Sequence, residues 1–197
     1  MMSLVKRKAF TPLAFVTLAI CYAPSLAAVK RPIPEVVADL RDHYCSPISL
    51  IMCGGKSGLV DDSVLGETVD SALKSIANQS GCYEFEAIDQ RFVLYPTGSE
   101  YGHTLKGVEI KQLPRIEATD AYVGLLRTNG YFPGLVSAPI VGDDRSPVFR
   151  DKVSLRTTGR VVDQLIDLLG NDGRLYLEVL IAPSGHPYIN FDRVKCK

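Results

Sequence analysis

The sequence predicts an α+β fold of two tandem repeats, each running helix, strand or strands, helix, β-hairpin, with the helices packed on small sheets. Three observations predict it. Apolar residues recur at helical spacing in four separate segments. Two of these segments pass through a glycine into paired runs of alternating apolar and polar residues. The two composite segments also share a pattern, VDSALKSIANQSGCYEFEAIDQRFVLY from Val69 and VDQLIDLLGNDGRLYLEVLIAPSGHPYINF from Val162. A helix with one apolar face must bury it against another element, and a sheet beneath each helix pair does so.

The first unit opens with a helix whose face is Ile33, Val36, Val37, Leu40 and Tyr44. Pro34 falls in its first turn, where a missing N–H does least harm. A short strand is expected from Ile48 to Met52. The second helix carries Val69, Ala72, Leu73, Ile76 and Ala77 on one face, with Thr68 placed to cap its start and Gly81 to end it. Tyr83, Phe85 and Ala87 then alternate with Cys82, Glu84 and Glu86 as a half-buried strand, and Asp89-Gln90 turns the chain into Arg91 to Tyr95. The stretch from Thr97 to Pro114, with Gly, Ser and an alternating Val108-Glu109-Ile110, links the halves.

In the second unit Ala118, Ala121, Tyr122, Leu125 and Leu126 form a helix face ending at Asn129-Gly130. Strands are expected from Leu135 to Val141 and from Val153 to Leu155. Val162, Leu165, Ile166 and Leu169 form the next stripe, ended by Gly170 or Gly173. Leu175, Leu177 and Val179 line a strand, and Pro183-Ser184-Gly185 supplies the hairpin turn. The expected boundaries are a signal peptide over 1–27, a first module over 28–96, a linker over 97–116 and a second module over 117–197.

Lys6, Arg7 and Lys8, the apolar run from Phe10 to Ile20, and small Ser25, Ala27 and Ala28 have the grammar of a secretory signal, with cleavage after Ala27. The expected location is periplasmic or secreted. The apolar run is shorter than the ~20 residues that span a bilayer and contains Pro12, so no integral membrane span is expected after signal removal. Leu18-Ala19-Ile20-Cys21 has lipobox spacing, but lipoprotein processing wants a small residue where Ile20 stands. Lys and Arg number 22 against 22 Asp and Glu, and no polybasic run follows Arg31, so nucleic acid is not an expected partner.

Cys45, Cys53, Cys82 and Cys196 remain after signal removal, an even number that favours disulfides in an exported chain and leaves three connectivities open. Pairing in chain order, the expectation adopted here, gives Cys45–Cys53 and Cys82–Cys196.

Residues 33–96 resemble the secretin and TonB short N-terminal (STN) domain, a small αβ module of bacterial envelope proteins. Gly66, Ala72-Leu73, Gly81 and the run from Tyr83 to Tyr95 match that family's positions, and residues 117–192 are similar more faintly. The cysteines lie outside the family pattern. The resemblance implies an interaction module, not an enzyme.

Candidate chemical motifs fall short of their spacing rules. Cys53-Gly54-Gly55-Lys56-Ser57 ends like a phosphate-binding loop, but Leu50 stands where the first Gly is required. Ser184, His186 and Asp192 supply triad residue types without a nucleophile elbow. His43 with Cys45 lacks zinc spacing, His103 is isolated, and Asp61-Asp62 and Asp143-Asp144-Arg145 lack the alternation of a calcium loop. Asn78-Gln79-Ser80 is a glycosylation sequon only in a eukaryotic host. No catalytic, cofactor or metal residue is therefore assigned.

The functional expectation is an exported, non-catalytic interaction module of the bacterial envelope that binds another envelope or secreted protein. The alternative is an inhibitor or immunity-type protein using a Cys45–Cys53 loop as a preorganised plug. A small hydrolase is the third reading. The expected interaction edge is Tyr188, Ile189, Asn190 and Phe191, because no later segment covers it. The rival expectation is that Cys196 folds this strand against the first half and closes the edge.

Overall fold

The structure, a computed structural model, describes residues 29–53, 58–64, 68–132, 134–137 and 147–196. Residues 1–28, expected above to hold a signal peptide and including Cys21, lie outside the described residues, as do Gly54 to Ser57, Gly66 and Asp143-Asp144-Arg145.

The first half runs β1 (Lys30–Pro32), α1 (Ile33–Tyr44), β2 (Ile48–Ile51), β3 (Leu59–Asp61), a 3-10 turn, α2 (Val69–Ser80), β4 (Tyr83–Ile88) and β5 (Arg91–Pro96). Local chemistry sets these bounds. Thr68 and Ser71 satisfy each other's backbone N–H groups at the start of α2, and Gly81 ends it in the left-handed region at φ 64°. Cys45 takes the same left-handed role for α1 at φ 50°, donating its N–H to the Arg41 carbonyl. Asp89 and Gln90 join β4 to β5 with φ 49° and 65°, both positive as a two-residue type I′ hairpin demands.

The second half runs β6 (Thr104–Lys106), β7 (Leu113–Pro114), α3 (Arg115–Thr128), β8 (Val136–Ser137), α4 (Pro147–Arg150), β9 (Lys152–Val153), β10 (Thr158–Arg160), α5 (Val161–Asp167), β11 (Leu175–Ile181) and β12 (Pro187–Arg193). The stretch from Thr97 to Pro114 is packed, burying Tyr101, Leu105, Val108 and Ile110, and its strand β6 pairs with β10. On α3 the buried face differs from the apolar stripe read in the sequence. Ala121 is exposed, while Arg115, Thr119 and Val123 are buried beside Ala118, Tyr122 and Leu126. Small Ala gains little from burial. Arg115 is tolerated inside because its guanidinium donates to the Leu168 and Leu169 carbonyls just beyond α5, at 2.8 and 3.1 Å.

Both halves contribute to one six-stranded sheet, ordered β4-β5-β2-β11-β12-β8, flanked by two-stranded ribbons β1-β3, β6-β10 and β7-β9. In each half a ribbon brackets the first helix (β1-β3, β7-β9), the hairpin is antiparallel (β4-β5, β11-β12), and its second strand takes an earlier strand in parallel (β5-β2, β12-β8). The halves meet where β2 and β11 run parallel. Following the pairings across the sheet, β4 is antiparallel to β11 although both open a hairpin. The strand sets β4-β5-β2 and β11-β12-β8 thus share an order and run in opposite directions.

The cores follow that geometry. Ile48 and Leu50 of β2 and Leu94 of β5 pack with α1 and α2 in one cluster. Their neighbours Ile51, Val93 and Tyr95 face the other way and pack with α3, α5, Leu175, Leu177 and Val179 in a second. Alternate residues of the central strands thus serve different helical layers.

Candidate functional site

The cysteine framework departs from the expected pairing. Cys45 bonds to Cys196, with Cα atoms 5.2 Å apart, so the Cys45–Cys53 and Cys82–Cys196 assignments are corrected. The extended strand β2 carries the chain roughly 13 Å away from Cys45 before Cys53 is reached, at about 3.3 Å per residue. The tail beyond β12 comes back beside α1 instead. The Val194 N–H donates to the Arg174 carbonyl at 3.0 Å. Arg41 of α1 spans to the same region, donating to Ile48 O at 2.7 Å, pairing with Glu178 at 2.5 Å and lying 3.8 Å from the centroid of the Tyr176 ring. The small Cys45–Cys53 loop invoked for an inhibitor plug is not formed. Cys53 and Cys82 carry free thiols, both partly exposed.

The expected edge at Tyr188–Phe191 is covered over its first half. Tyr188 and Ile189 pair with Val136 and Ser137 of β8, which lies outside β12 in the sheet. The sequence argument considered only segments later in the chain, whereas a parallel partner comes from an earlier one. At the other end, β4 is terminal, and among the described residues no strand pairs on its outer side. Its closing pair Ile88–Arg91 flanks a two-residue turn and exchanges both hydrogen bonds. Counting back in twos, Glu86 and Glu84 bond inward to β5, and the N–H groups of Ala87 and Phe85 point to the open side. Ala87 is exposed and Phe85 stacks on Phe92 with ring centroids 5.9 Å apart.

Arginines bind the first hairpin to the second half. Arg160 grips Glu86 with two bonds of 2.8 and 2.7 Å and also holds Asp163 at 2.8 Å, while the Tyr95 hydroxyl donates to the same Glu86. These contacts, Arg160 first, hold the Glu86 carboxyl below its ordinary range against the opposing effect of burial. Arg156 bridges Asp167 at 2.8 Å and Asp89 at 2.6 Å, and Arg91 donates to the Gly170 and Asp172 carbonyls at 2.7 and 3.0 Å. Beside them lies a groove of about 540 Å³ lined by Asp89, Arg91, Ser154, Asp167 and Gly170. Its two carboxylates are engaged by Arg156, and Ser154 Oγ accepts the Gln112 N–H at 2.9 Å, so the groove is held by structural pairs.

The residues of the triad motif are not brought together. Asp192 receives the Tyr176 hydroxyl at 3.2 Å and lies six residues along an extended segment from His186, about 20 Å. His43 ends α1 edge-on to Tyr44, and His103 follows a 3-10 turn. Asp61 sits in β3, its N–H bonded to Gln79. Among the described residues no three His, Cys, Asp or Glu side chains cluster as metal ligands, and no helix is long and apolar enough to cross a membrane.

No family model, curated protein or solved structure matches the chain.

Proposed function

We propose that the chain is an exported, non-catalytic interaction module of the bacterial envelope, and that it takes an extended segment of another envelope or secreted protein onto strand β4. The observation that carries this reading is the terminal six-residue strand β4, Tyr83–Ile88, with outward N–H groups and no strand on that side among the described residues. Main-chain groups left open at a sheet edge recruit a strand whatever its sequence, and alternate side chains supply selectivity. The Cys45–Cys196 disulfide supports an oxidising location. The resemblance of residues 33–96 to the STN domain supports an envelope setting. The matched pairing of strands in the two halves supports descent of both from one repeated unit.

The test is capture of a partner from an envelope extract by the parent chain and by Ala87→Pro. Proline removes the outward N–H of an exposed residue without touching the β4-β5 ladder, so the variant keeps its circular dichroism. Capture is expected to fall by about tenfold or more, the loss of roughly 1.4 kcal/mol of edge bonding. Glu86→Pro, which breaks an inward bond, is expected to unfold the hairpin and serves as the contrast. Undiminished capture by folded Ala87→Pro, or no partner captured by the parent, overturns the reading.

A further inference from the structure

Cys53 lies just beyond the C-terminal end of β2 and Cys82 just before the start of β4, so the two stand at the same end of the sheet on either side of β5. β5 ends there in Pro96, opposite Tyr83, and the Thr97 N–H closes on the Cys82 carbonyl at 3.0 Å. Tyr83 reaches across. Its hydroxyl accepts the Cys53 N–H at 3.0 Å, which fixes residue 53 beside residues 82 and 83. Both side chains pack against the core under α1 and α2, and both remain partly exposed.

We propose that Cys53 and Cys82 form a second disulfide, giving the chain the nested pairs Cys45–Cys196 and Cys53–Cys82. With both cysteines at one end of the sheet and tied together through Tyr83, the bond closes across the end of β5. Closure requires an external disulfide as oxidant, either a small one such as oxidised glutathione or that of a thiol–disulfide oxidoreductase. One cysteine thiolate attacks the oxidant's disulfide and expels a thiolate, forming a mixed disulfide. The second cysteine thiolate then displaces the remaining oxidant sulfur. Two protons leave the cysteines, and their two electrons reduce the oxidant to a pair of thiols. Burial, and then the neighbouring Cys82, push the Cys53 thiol above its ordinary value, so exchange is slow near neutrality and quickens as pH rises. The product staples the entry of the terminal strand β4 to the central strand β2.

The experiment uses the chain with Cys45–Cys196 intact, incubated with oxidised glutathione, quenched in acid, alkylated with a maleimide and mapped without reduction. It needs no assumption about export. The expected result is a Cys53 peptide joined to a Cys82 peptide, with labelling of both thiols reduced by about tenfold or more as the exchange equilibrium is drawn to the linked form. The same link is expected in the Cys45→Ser/Cys196→Ser variant, where no other pair holds the chain. Full labelling of both thiols, a glutathione adduct persisting on either, or Cys53 joined to Cys45 or Cys196 overturns the proposal.

Discussion

Replacing Cys45 and Cys196 together by Ala isolates the contribution of chain entropy to this fold. Both cysteines are exposed, so no core packing is lost with them. Cys45 sits at φ 50°, but Ala carries the same Cβ, so the backbone strain is common to parent and variant. What remains is the closed loop, with a sequence separation of 151 residues. The loop-entropy relation gives about 17 cal/mol/K for that length, or about 5 kcal/mol at 25 °C, and measured bridges commonly deliver about 2–4. Against a total stability of about 5–15 kcal/mol this is a large fraction. A loss of about 3 kcal/mol lowers the melting temperature by about 6–12 °C for a domain of this size. Urea unfolding followed by circular dichroism reads the change directly, and the slope with denaturant should rise because the unlinked chain exposes more surface. A loss under about 1 kcal/mol with an unchanged slope refutes the argument that the bridge acts on the unfolded chain.

Other outcomes follow from single contacts. Gln90→Gly places glycine at the φ 65° position of the β4-β5 turn and should stabilise the protein by about 0.5–1 kcal/mol, read as a higher urea midpoint. Tyr122→Phe removes a buried hydroxyl that donates to Gln164 Oε1 at 3.0 Å and lies 3.2 Å from Val161 O, leaving a buried amide oxygen unsatisfied. A loss of about 1–3 kcal/mol in the same assay is expected. Glu86→Gln tests the arginine clamp through pH. The Glu86 carboxyl is held below its unperturbed value of 4.5, so its contribution is present above that value and lost as pH falls through the lowered one. With about a third of each side chain exposed, the pair is worth only about 0.5–1 kcal/mol, and the variant's urea midpoint should fall less steeply than the parent's between about pH 5 and about pH 3. Parallel slopes would remove Glu86 from the acid response.

What was legible in the sequence is what neighbouring residues decide. Thr68, the spacing from Val69 to Ile76, and Gly81 specify α2 within one stretch of chain, and the structure places its cap and stop at those residues. The strand alternation at Leu175, Leu177 and Val179 is equally local, and all three are buried in one cluster. The pairing of cysteines was not legible, because it depends on the Val194 tail lying beside α1, and nothing near Cys45 encodes that neighbour. The partial cover of the expected edge was hidden for the same reason, since β8 reaches β12 from 52 residues earlier, Tyr188 pairing with Val136 and Ile189 with Ser137. Arg115 escaped notice because periodicity counts apolar residues, and a guanidinium that caps another helix's carbonyls carries no periodic signal. It is recognisable only once α5 is seen to end against it.

The order of the six-stranded sheet gives it a polarity, with a head at β8 and a tail at β4. Within the chain, the counterpart of β4 is β11, and the outer side of β11 is occupied by β2 running in the same direction, in the register Glu178 with Leu50 and Val179 with Ile51. The side of β4 on which no strand pairs among the described residues therefore corresponds, in strand order, to the side of β11 that carries a parallel strand. A guest segment that copies this internal junction lies along β4 with its amino end beside Tyr83 and its carboxyl end beside Ile88. Such a guest has the evenly spaced, slanted hydrogen bonds of a parallel pair, and its register decides which alternate residues face the helices α1 and α2 and which face the layer of α5.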